Sequence, residues 1–325
     1  MIKAKPFIKW VGGKTQLLEQ LEANLPADFD KKEITYIEPF VGGGAMLFHM
    51  LQKHHNIKRA FINDINEDLI TAYQTVKNST KDLITSLKNI QEEYYVIKNE
   101  EKRREYFLEM RKRYNTKSLD FIENTTLFIF LNRTCFNGLY RVNKSGLFNV
   151  PFGKYTNPTI CDEETIIADS ELLKNVEILS GDFENTIELA EKNSFYYFDP
   201  PYRPLSNTSS FNDYAKEAFN DVAQKRLKLY CDKLSEHGAL LMLSNSDCKG
   251  KNPKDTFFND LYNTYHVGTV WASRNINANA SKRGKLTELL IRNYENTQHS
   301  KNSKPLFEPK MGTEYYEQST YRKTI

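Results

Sequence analysis

A glycine turn between a strand pattern and a helix pattern sets the fold class of this chain. The segment ITYIEPF is apolar enough for a buried strand, and Gly42, Gly43 and Gly44 follow it closely. A helix pattern then runs through GAMLFHMLQKH, and KRAFIND supplies a second strand pattern. The order strand, glycine turn, helix, strand is typical of the beginning of a parallel α/β sheet.

The α/β pattern is interrupted in the middle of the chain. Residues from about 79 to 125 are charged, helical in pattern and poor in glycine, and a turn-rich aromatic stretch runs from Leu127 to about Pro158. Strand patterns return at VEILSGD, SFYYFDPPY and GALLMLSNSD, with a helix pattern around Asp221 to Ser235. Two late apolar segments, HVGTVWAS and KLTELLIRNY, are candidate edge strands.

These patterns predict an α/β domain with a module inserted into it. The α/β domain is discontinuous, and the polar, aperiodic end of the chain is expected to be a loop-like tail. The predicted boundaries are 1–78 and 176–294 for the α/β domain, 79–175 for the inserted module and 295–325 for the tail.

Composition narrows the class of protein. A hydrophobic fraction of 39% with 27% charged residues supports a buried core, and a net charge of +3 does not by itself indicate a nucleic-acid partner. The cysteines form no CxxC pair and the histidines no HExxH spacing, so no metal site is predicted. Without a signal peptide or a long apolar run, we expect a soluble cytoplasmic protein that does not enter a membrane.

Asp64 ends the second strand pattern, where a carboxylate can accept hydrogen bonds from a ribose diol. The dinucleotide fingerprint GxGxxG is incomplete because Leu47 replaces its third glycine, which argues against a nicotinamide or flavin enzyme. The segment WVGGKT is no phosphate loop either, because Ile8 stands where that motif requires glycine. The glycine turn therefore fits a nucleoside ligand, with a purely structural turn as the alternative.

The segment FYYFDPPYRPLS is the most specific motif in the chain. Its strand delivers Asp199 to the edge where open α/β sheets bind ligands. Pro200 and Pro201 lack N–H groups, so their carbonyls are expected to face outward as acceptors, and Tyr202 offers a flat π-face beside them. The alternative is a diproline turn with a buried tyrosine.

Methylation of an exocyclic amine requires this combination of groups. The adenine amino group is a poor nucleophile because its lone pair is delocalised into the ring. The Asp199 carboxylate and the Pro200 carbonyl would bind its two protons, localise the lone pair and stabilise the positive charge that the nitrogen gains. Tyr202 would stack on a base swung out of the duplex.

Six blocks of the sequence resemble the Dam family of DNA adenine-N6 methyltransferases, which includes the GATC methylases of restriction–modification systems. The blocks cover about half of the chain, and their order resembles that of the α group of amino-methyltransferases. The resemblance implies a Rossmann-like S-adenosylmethionine-dependent methyltransferase sheet with an inserted helical and hairpin domain that recognises double-stranded DNA. One departure is GGGA where GAGS is commoner. The blocks are KPFIKWVGGKTQLL, YIEPFVGGGAMLF, FINDINEDLITAYQTVK, FLNRTCFNGLYRVNKSGLFNVPFGKY, YFDPPYRPLS and RNINANASKRGKLTELLI.

The resemblance also implies a set of cofactor residues. Trp10 and Lys14 would line the S-adenosylmethionine pocket, although without the resemblance they are a core residue and a surface charge. Asp64 would bind the ribose, and Asp182 with Phe183 would lie at the adenine of the cofactor. The cofactor set is Trp10, Lys14, Glu38, Phe40, Gly42, Gly44, Asp64, Asp182, Phe183 and Asp199, and the catalytic set is Asp199, Pro200 and Tyr202.

The segment LYRVNKSGLFNV is typical of a β-hairpin, which fits the major groove. Arg141 is suited to guanine, and Phe136 beside Asn137 to opening a base step. By resemblance this hairpin matches that of the GATC methylases, so GATC is the expected target, with packing as the alternative for Leu139 and Tyr155. The DNA-binding set is Phe136, Asn137, Leu139, Arg141, Asn143, Pro151 and Tyr155.

Two basic segments are candidates for contact with the DNA backbone. KRREYFLEMRKRY is either a phosphate-tracking helix face or a solvated one, and RNINANASKRGK is the better candidate because its small residues allow close approach.

We expect a monomeric enzyme specific for DNA adenine, since the motif is DPPY and a recognition hairpin precedes it. Methylation of cytosine N4, an RNA adenine or a protein glutamine is the nearest alternative, and a catalytically silent DNA-binding protein on the same fold is another. A C5-cytosine methylase would need a PC dipeptide, and the chain has none. A nicotinamide oxidoreductase is the most distant alternative.

Overall fold

The strand patterns assemble into one seven-stranded sheet in the computed structural model, which describes residues 3–203, 219–273 and 285–296. The strands are β1 (Ile34–Glu38), β2 (Ile57–Ile62), β3 (Val176–Ile178), β4 (Ser194–Phe198), β5 (Leu240–Ser246), β6 (His266–Ser273) and β7 (Lys285–Arg292). Their order in the sheet is β3-β2-β1-β4-β5-β7-β6. Strands β1 to β5 are parallel, and β7 runs antiparallel to both of its neighbours. The predicted Rossmann-like α/β fold is confirmed.

The prediction that both late segments are edge strands is wrong for one of them. Strand β6 lies at the edge, but β7 lies between β5 and β6, with Glu288 paired to Ser246 on one side and Val270 on the other. Pairing on both sides explains why the middle of β7 is apolar and buried.

Helices cover both faces of the sheet and form most of the insertion. Several of them begin at an Asn or Asp side chain that accepts a backbone N–H of the first turn, as at Asn66, Asn99, Asp120 and Asn220. The helices are α1 (Leu18–Glu22), α2 (Ala45–Lys53), α3 (Glu67–Asn78), α4 (Thr80–Val96), α5 (Glu100–Tyr114), α6 (Phe121–Thr134), α7 (Glu163–Leu173), α8 (Asp221–Glu236), α9 (Cys248–Lys251) and α10 (Phe257–Leu261).

Alternate residues of the central strands build two cores, one on each face of the sheet. In β4, Phe195 and Tyr197 pack with residues of α2, α3 and the insertion, while Tyr196 and Phe198 pack with residues of α8 and α10. Burial on both faces accounts for the continuous apolar run of this strand.

Within the predicted insertion, helices α4, α5 and α6 pack together on α3, and α6 contacts all three of the others. The predicted turn-rich stretch from Leu127 is therefore wrong at its beginning, because α6 extends to Thr134. Leu127 to Leu131 are all buried, so this helix lacks the one-sided apolar pattern by which surface helices are recognised. The predicted helix around Asp221 to Ser235 is confirmed as α8.

Most of the predicted tail and most of RNINANASKRGK lie outside the described residues. Within the described ranges, no helix is both long and apolar enough to cross a membrane. Among the same residues, no cluster of three or more His, Cys, Asp or Glu side chains is arranged to bind a metal ion.

Candidate active site

A cavity of about 310 Å³ opens at the carboxyl ends of β1 and β4. It lies between the N-terminal segment (residues 6–15), the glycine turn and the end of β4. This is the position expected for a ligand in an open α/β sheet. The structure thus brings together most of the predicted cofactor residues, namely Trp10, Lys14, Glu38, Phe40, Gly42, Gly44 and Asp199.

Two positions of the glycine turn strongly favour glycine. Gly42 and Gly44 have φ angles of 49° and 73°, in the left-handed region. A Cβ at Gly44 would lie 2.5 Å from the hydroxyl oxygen of Tyr73, and one at Gly42 would lie 2.9 Å from Cδ1 of Trp10. The Tyr73 hydroxyl donates to the Gly42 carbonyl at 3.0 Å, which fixes the turn.

Asp64 lies behind this turn and does not line the cavity wall. Its carboxylate accepts the N–H groups of Gly42, at 3.1 Å, and of Asn66, at 3.0 Å. Burial raises the pKa of Asp64, and these backbone hydrogen bonds oppose that rise. Asp64, the residue predicted to bind the ribose, is therefore hydrogen-bonded directly to the glycine turn.

Asp182 and Phe183 also lie outside the lining of the cavity. The Asp182 carboxylate accepts the N–H of Glu184 at 3.0 Å and forms an ion pair with Arg226. Phe183 is buried, and its ring centroid lies 5.3 Å from that of Phe40, which does line the cavity. Their predicted contact with adenine stays a prediction.

Lys14 places a buried ammonium group beside two carboxylates. Its Nζ lies 2.8 Å from Oδ1 of Asp199 and 3.7 Å from Oε2 of Glu288, and it donates to the Gly12 carbonyl at 2.8 Å. The same Nζ is 4.5 Å from the ring centroid of Tyr202, whose hydroxyl donates to Oε2 of Glu288 at 2.6 Å. Sequence reasoning missed Glu288, although a lone acidic residue inside an apolar strand pattern was an available signal.

Burial and neighbouring charge shift the protonation of this site. Burial raises the pKa of Asp199, while the Lys14 ammonium opposes that rise. Burial raises the pKa of Glu38 to about 8, the hydrogen bond from the Tyr36 hydroxyl opposes the rise, and the negative charge of Asp199 adds to it. The cavity therefore contains a carboxylate whose ionised form Lys14 favours and a second carboxyl group that retains its proton more readily.

The turn after Asp199 is held from inside the protein. Pro200 is buried, and the Pro201 carbonyl accepts a hydrogen bond from Nε2 of Gln224 at 3.2 Å. The expectation that both proline carbonyls face outward is wrong for Pro201, because the fully buried amide of Gln224 needs an acceptor and bonds Asn245 with its other end. The role of the Pro200 carbonyl stays a prediction.

The predicted recognition hairpin is present in short form. The Asn143 N–H donates to the Leu147 carbonyl at 2.9 Å, and the Asn149 N–H donates to the Arg141 carbonyl at 3.1 Å. An isolated antiparallel bridge lies between these bonds, so the hairpin is confirmed but contains no extended strands. Arg141 is exposed, and its Nε donates to Oδ1 of Asn149 at 2.7 Å.

The other predicted DNA-binding residues surround this hairpin. Phe136 is 52% exposed, Asn137 beside it is exposed with a φ angle of 56°, and the Phe136 N–H donates to the carbonyl of exposed Pro151 at 2.8 Å. Leu139 and Tyr155 are half-buried, and Leu139 packs against the core, so it also serves the packing role that was its alternative.

In the basic helix α5, Arg103 does not belong to a phosphate-tracking face. It is buried, and its Nε donates to the Ile97 carbonyl at 2.6 Å. Arg104 and Arg113 form ion pairs with Glu101 and Glu123, which favours the solvated-face interpretation for this part of the helix.

The N-terminal segment joins the cavity to the recognition hairpin. The buried side chain of Asn132 accepts the Lys9 N–H at 2.8 Å and donates to the carbonyls of Lys9, at 2.8 Å, and Gly138, at 2.9 Å. The next residue, Trp10, stacks on Tyr140 with ring centroids 5.5 Å apart and an interplanar angle of 24°. A residue of the cavity wall is thus in contact with Tyr140, at the beginning of the hairpin segment.

A family model and several known proteins are similar to this chain over most of its length. Residues 10–276 match a family model described as D12 class N6 adenine-specific DNA methyltransferase. The chain is 49% identical over 297 residues to the type II methyltransferase M.MjaIII of Methanocaldococcus jannaschii, covering 90% of this chain and 100% of that protein. It is 38% identical to the type II methyltransferase M1.LlaDCHI of Lactococcus lactis subsp. cremoris, with 91% and 97% covered. It is 34% identical to a DNA adenine methylase of Vibrio cholerae, with 89% and 96% covered.

Proposed function

Because the chain belongs to the D12 class of N6 adenine-specific DNA methyltransferases, we propose that it transfers a methyl group from S-adenosylmethionine to adenine in the duplex sequence GATC. The observation that carries this proposal is the position of the Asp199–Tyr202 turn, whose carboxylate lines the same cavity as the glycine turn. We assign donor binding and catalysis to 1–78 and 176–294, sequence recognition to 79–175, and action to a monomer.

The residues of the cavity fit this methyl donor. When bound, S-adenosylmethionine supplies an electrophilic methyl group on a positively charged sulfur. The glycine turn lines the cavity with backbone that a ligand can approach closely, and Trp10 and Phe40 offer flat apolar surfaces for an adenine. Asp64 would accept hydrogen bonds from the ribose, and the cluster of Lys14, Asp199 and Glu288 carries one positive and two negative charges, which suits a cationic ligand.

Asp199 and Pro200 would bind the two protons of the adenine amino group. Lys14 fixes one oxygen of the Asp199 carboxylate and favours its ionised form, which keeps the group an acceptor. Acceptors in fixed positions stabilise the positive charge that the nitrogen gains, without reorganising during the reaction.

Tyr202 would stack on the extruded base with one face of its ring. The Lys14 ammonium is near this ring, so the face directed away from Lys14 is the one assigned to the base. Arg141 would bond guanine in the major groove, with Phe136 inserted at a neighbouring base step.

A single assay tests this function. The protein is incubated with S-adenosylmethionine labelled in its methyl group and with one of three substrates: a duplex that contains GATC, a duplex with the same bases in scrambled order, or RNA of the same sequence. The labelled base is then identified. We expect N6-methyladenine in the GATC duplex alone. Label on cytosine, or on RNA of the same sequence, would assign another amine, and tight DNA binding without label would indicate a catalytically silent protein.

Asp199→Ala is the matching variant. We expect transfer to fall by at least about a thousandfold, because the carboxylate acceptor and the partner of Lys14 are both lost, while the far-UV circular dichroism spectrum is retained. Turnover close to that of the wild type would exclude the assigned role of Asp199.

A further inference from the structure

Glu288 is an acidic side chain of the cluster that belongs to neither the cofactor set nor the catalytic set predicted from the sequence, although it lies in the late block RNINANASKRGKLTELLI. It lies in the interior strand β7, next to the buried residues Leu289 and Leu290, and its side chain is only 13% exposed. A carboxylate with so little water around it requires polar partners. Its Oε2 accepts the Tyr202 hydroxyl at 2.6 Å and lies 3.7 Å from Nζ of Lys14.

Both partners of Glu288 belong to the site of methyl transfer as proposed above. A tyrosine ring has two side-chain torsions, and a hydrogen bond at its hydroxyl end fixes where that end lies. Because the phenolic O–H prefers to lie in the plane of the ring, the bond also favours one orientation of that plane. The ring of Tyr202 is held at this end by β7, while its body lies 4.5 Å from the Lys14 ammonium. The same ammonium is bonded to Asp199, so one carboxylate connects the stacking ring to the acceptor of the amine.

A neutral acceptor would be sufficient if the hydroxyl only needed a partner. Nearby in the sheet, the buried hydroxyl of Tyr197 is paired with the hydroxyl of Ser244 at 3.1 Å, without any charge. The negative charge at position 288 therefore has a second use, which is to share the Lys14 ammonium with Asp199.

We propose that Glu288 is a positioning residue for methyl transfer: it fixes the plane of the Tyr202 ring for stacking on the extruded adenine and shares Lys14 with Asp199. This inference rests on the proposed function, in which Tyr202 and Asp199 contact the base.

Two variants remove the hydrogen bond between Tyr202 and Glu288, one at its acceptor and one at its donor. Glu288→Ala deletes the acceptor, and Tyr202→Phe deletes the donor but keeps the ring. We expect each to lower kcat/KM about 10- to 100-fold, the range for one hydrogen bond to a charged group. Extrusion of the base is followed with 2-aminopurine at the target position, whose fluorescence rises when it leaves the stack, and we expect both variants to reduce that rise. Because the two changes break the same bond, the double variant should be close to the worse single variant.

Glu288→Gln tests the hydrogen bond to Tyr202 separately from the negative charge near Lys14 and Asp199. Its amide oxygen still accepts the Tyr202 hydroxyl, so the 2-aminopurine signal should recover, while the negative charge facing Asp199 is lost. A lower pKa of Asp199 then follows, and the acidic limb of the pH–rate profile should move to lower pH. The titratable groups that face Asp199 in the described residues are Lys14, Glu38, Tyr197, Tyr202 and Glu288.

Glu177→Gln is the matched control, because Glu177 lies on the edge strand β3 of the same sheet and its side chain is 62% exposed. If Glu288→Ala and Glu288→Gln both behave like this control while the wild type methylates adenine and raises the fluorescence, the positioning role is wrong and the proposed function stands. If the wild type does neither, the proposed function fails first. Should Glu288→Ala not fold, Tyr202→Phe still tests the bond to the ring, and the pH–rate profile of Glu288→Gln tests the shared charge.

Discussion

Glu38 couples the stability of the fold to pH. It ends β1 below the glycine turn, is 2% exposed and accepts the Tyr36 hydroxyl. Burial raises its pKa from 4.5 to about 8, so the folded protein binds a proton that the unfolded chain has released. The resulting stabilisation is complete below pH 4.5 and is lost as the pH rises through 8.

Glu38→Gln should remove this dependence, because the amide is neutral at every pH and still accepts the Tyr36 hydroxyl. We expect the variant and the wild type to have similar free energies of unfolding near pH 5, and the variant to be the more stable above pH 8, by on the order of 1–3 kcal/mol. Urea unfolding across this range measures the difference. A difference that is constant with pH would show that Glu38 does not titrate between these limits.

The positions of residues at the ends of strands could be predicted from the sequence, but the residues that they contact could not. Asp199 and Tyr202 could be identified because a strand pattern, two prolines and an aromatic residue specify both a position at the sheet edge and a chemistry. The roles of Glu288 and Gln224 depend on contacts with residues far away in the sequence, at Tyr202 and Pro201. A lone acidic residue in an apolar strand pattern marks Glu288 as unusual, but no local pattern shows which groups Glu288 and Gln224 contact.

The glycine turn makes a prediction about the junction of β1 and α2. Gly44 and Gly146 have nearly the same φ angle, 73° and 71°, but a Cβ at Gly44 would lie 2.5 Å from the Tyr73 hydroxyl, whereas one at Gly146 would meet nothing within 4 Å. Gly44→Ala therefore adds crowding to the backbone strain that both variants share. We expect about 1–2 kcal/mol of lost stability for Gly146→Ala and about 1–3 kcal/mol more for Gly44→Ala.

Thermal unfolding and calorimetric titration with S-adenosylmethionine measure both effects. Gly44→Ala should also weaken donor binding, because Tyr73 can move only by giving up its bond to the Gly42 carbonyl, while Gly146→Ala should leave donor binding unchanged. Equal losses in the two variants would mean that Tyr73 moves without cost.

Short strands were found from the sequence even where they are buried on both faces. Strands β1 to β5 were predicted at their observed places, as was α8, because an apolar run of a few residues between turn residues is enough to indicate a strand. Helix α6 was taken for part of a turn-rich stretch, because three helices surround it and its apolar residues fall on every face. Strand β7 was expected at the edge because sequence alone does not show which strands have a neighbour on both sides.

The N-terminal segment connects the two parts of the molecule, and no pattern in the sequence predicted this connection. It carries Trp10 and Lys14 into the cavity, yet its backbone at Lys9 is bonded to Asn132 of α6 in the insertion. The stack of Trp10 on Tyr140 adds a second contact between the cavity wall and the hairpin. The wall of the cavity and the hairpin therefore share one structural support.

Asn132→Ala should weaken that support. The variant removes both bonds to the backbone of Lys9 and the buried bond to the Gly138 carbonyl, and a buried polar group left unsatisfied costs about 1–3 kcal/mol. We expect a lower melting temperature and a roughly tenfold weaker affinity for both S-adenosylmethionine and the GATC duplex, since a loss of about 1.4 kcal/mol corresponds to a factor of ten.

Asn157→Ala, in an exposed loop of the same insertion, is the control and should change neither affinity. If Asn132→Ala lowers the melting temperature but keeps both affinities, the segment contributes to stability alone, and the donor pocket and the recognition hairpin are supported independently.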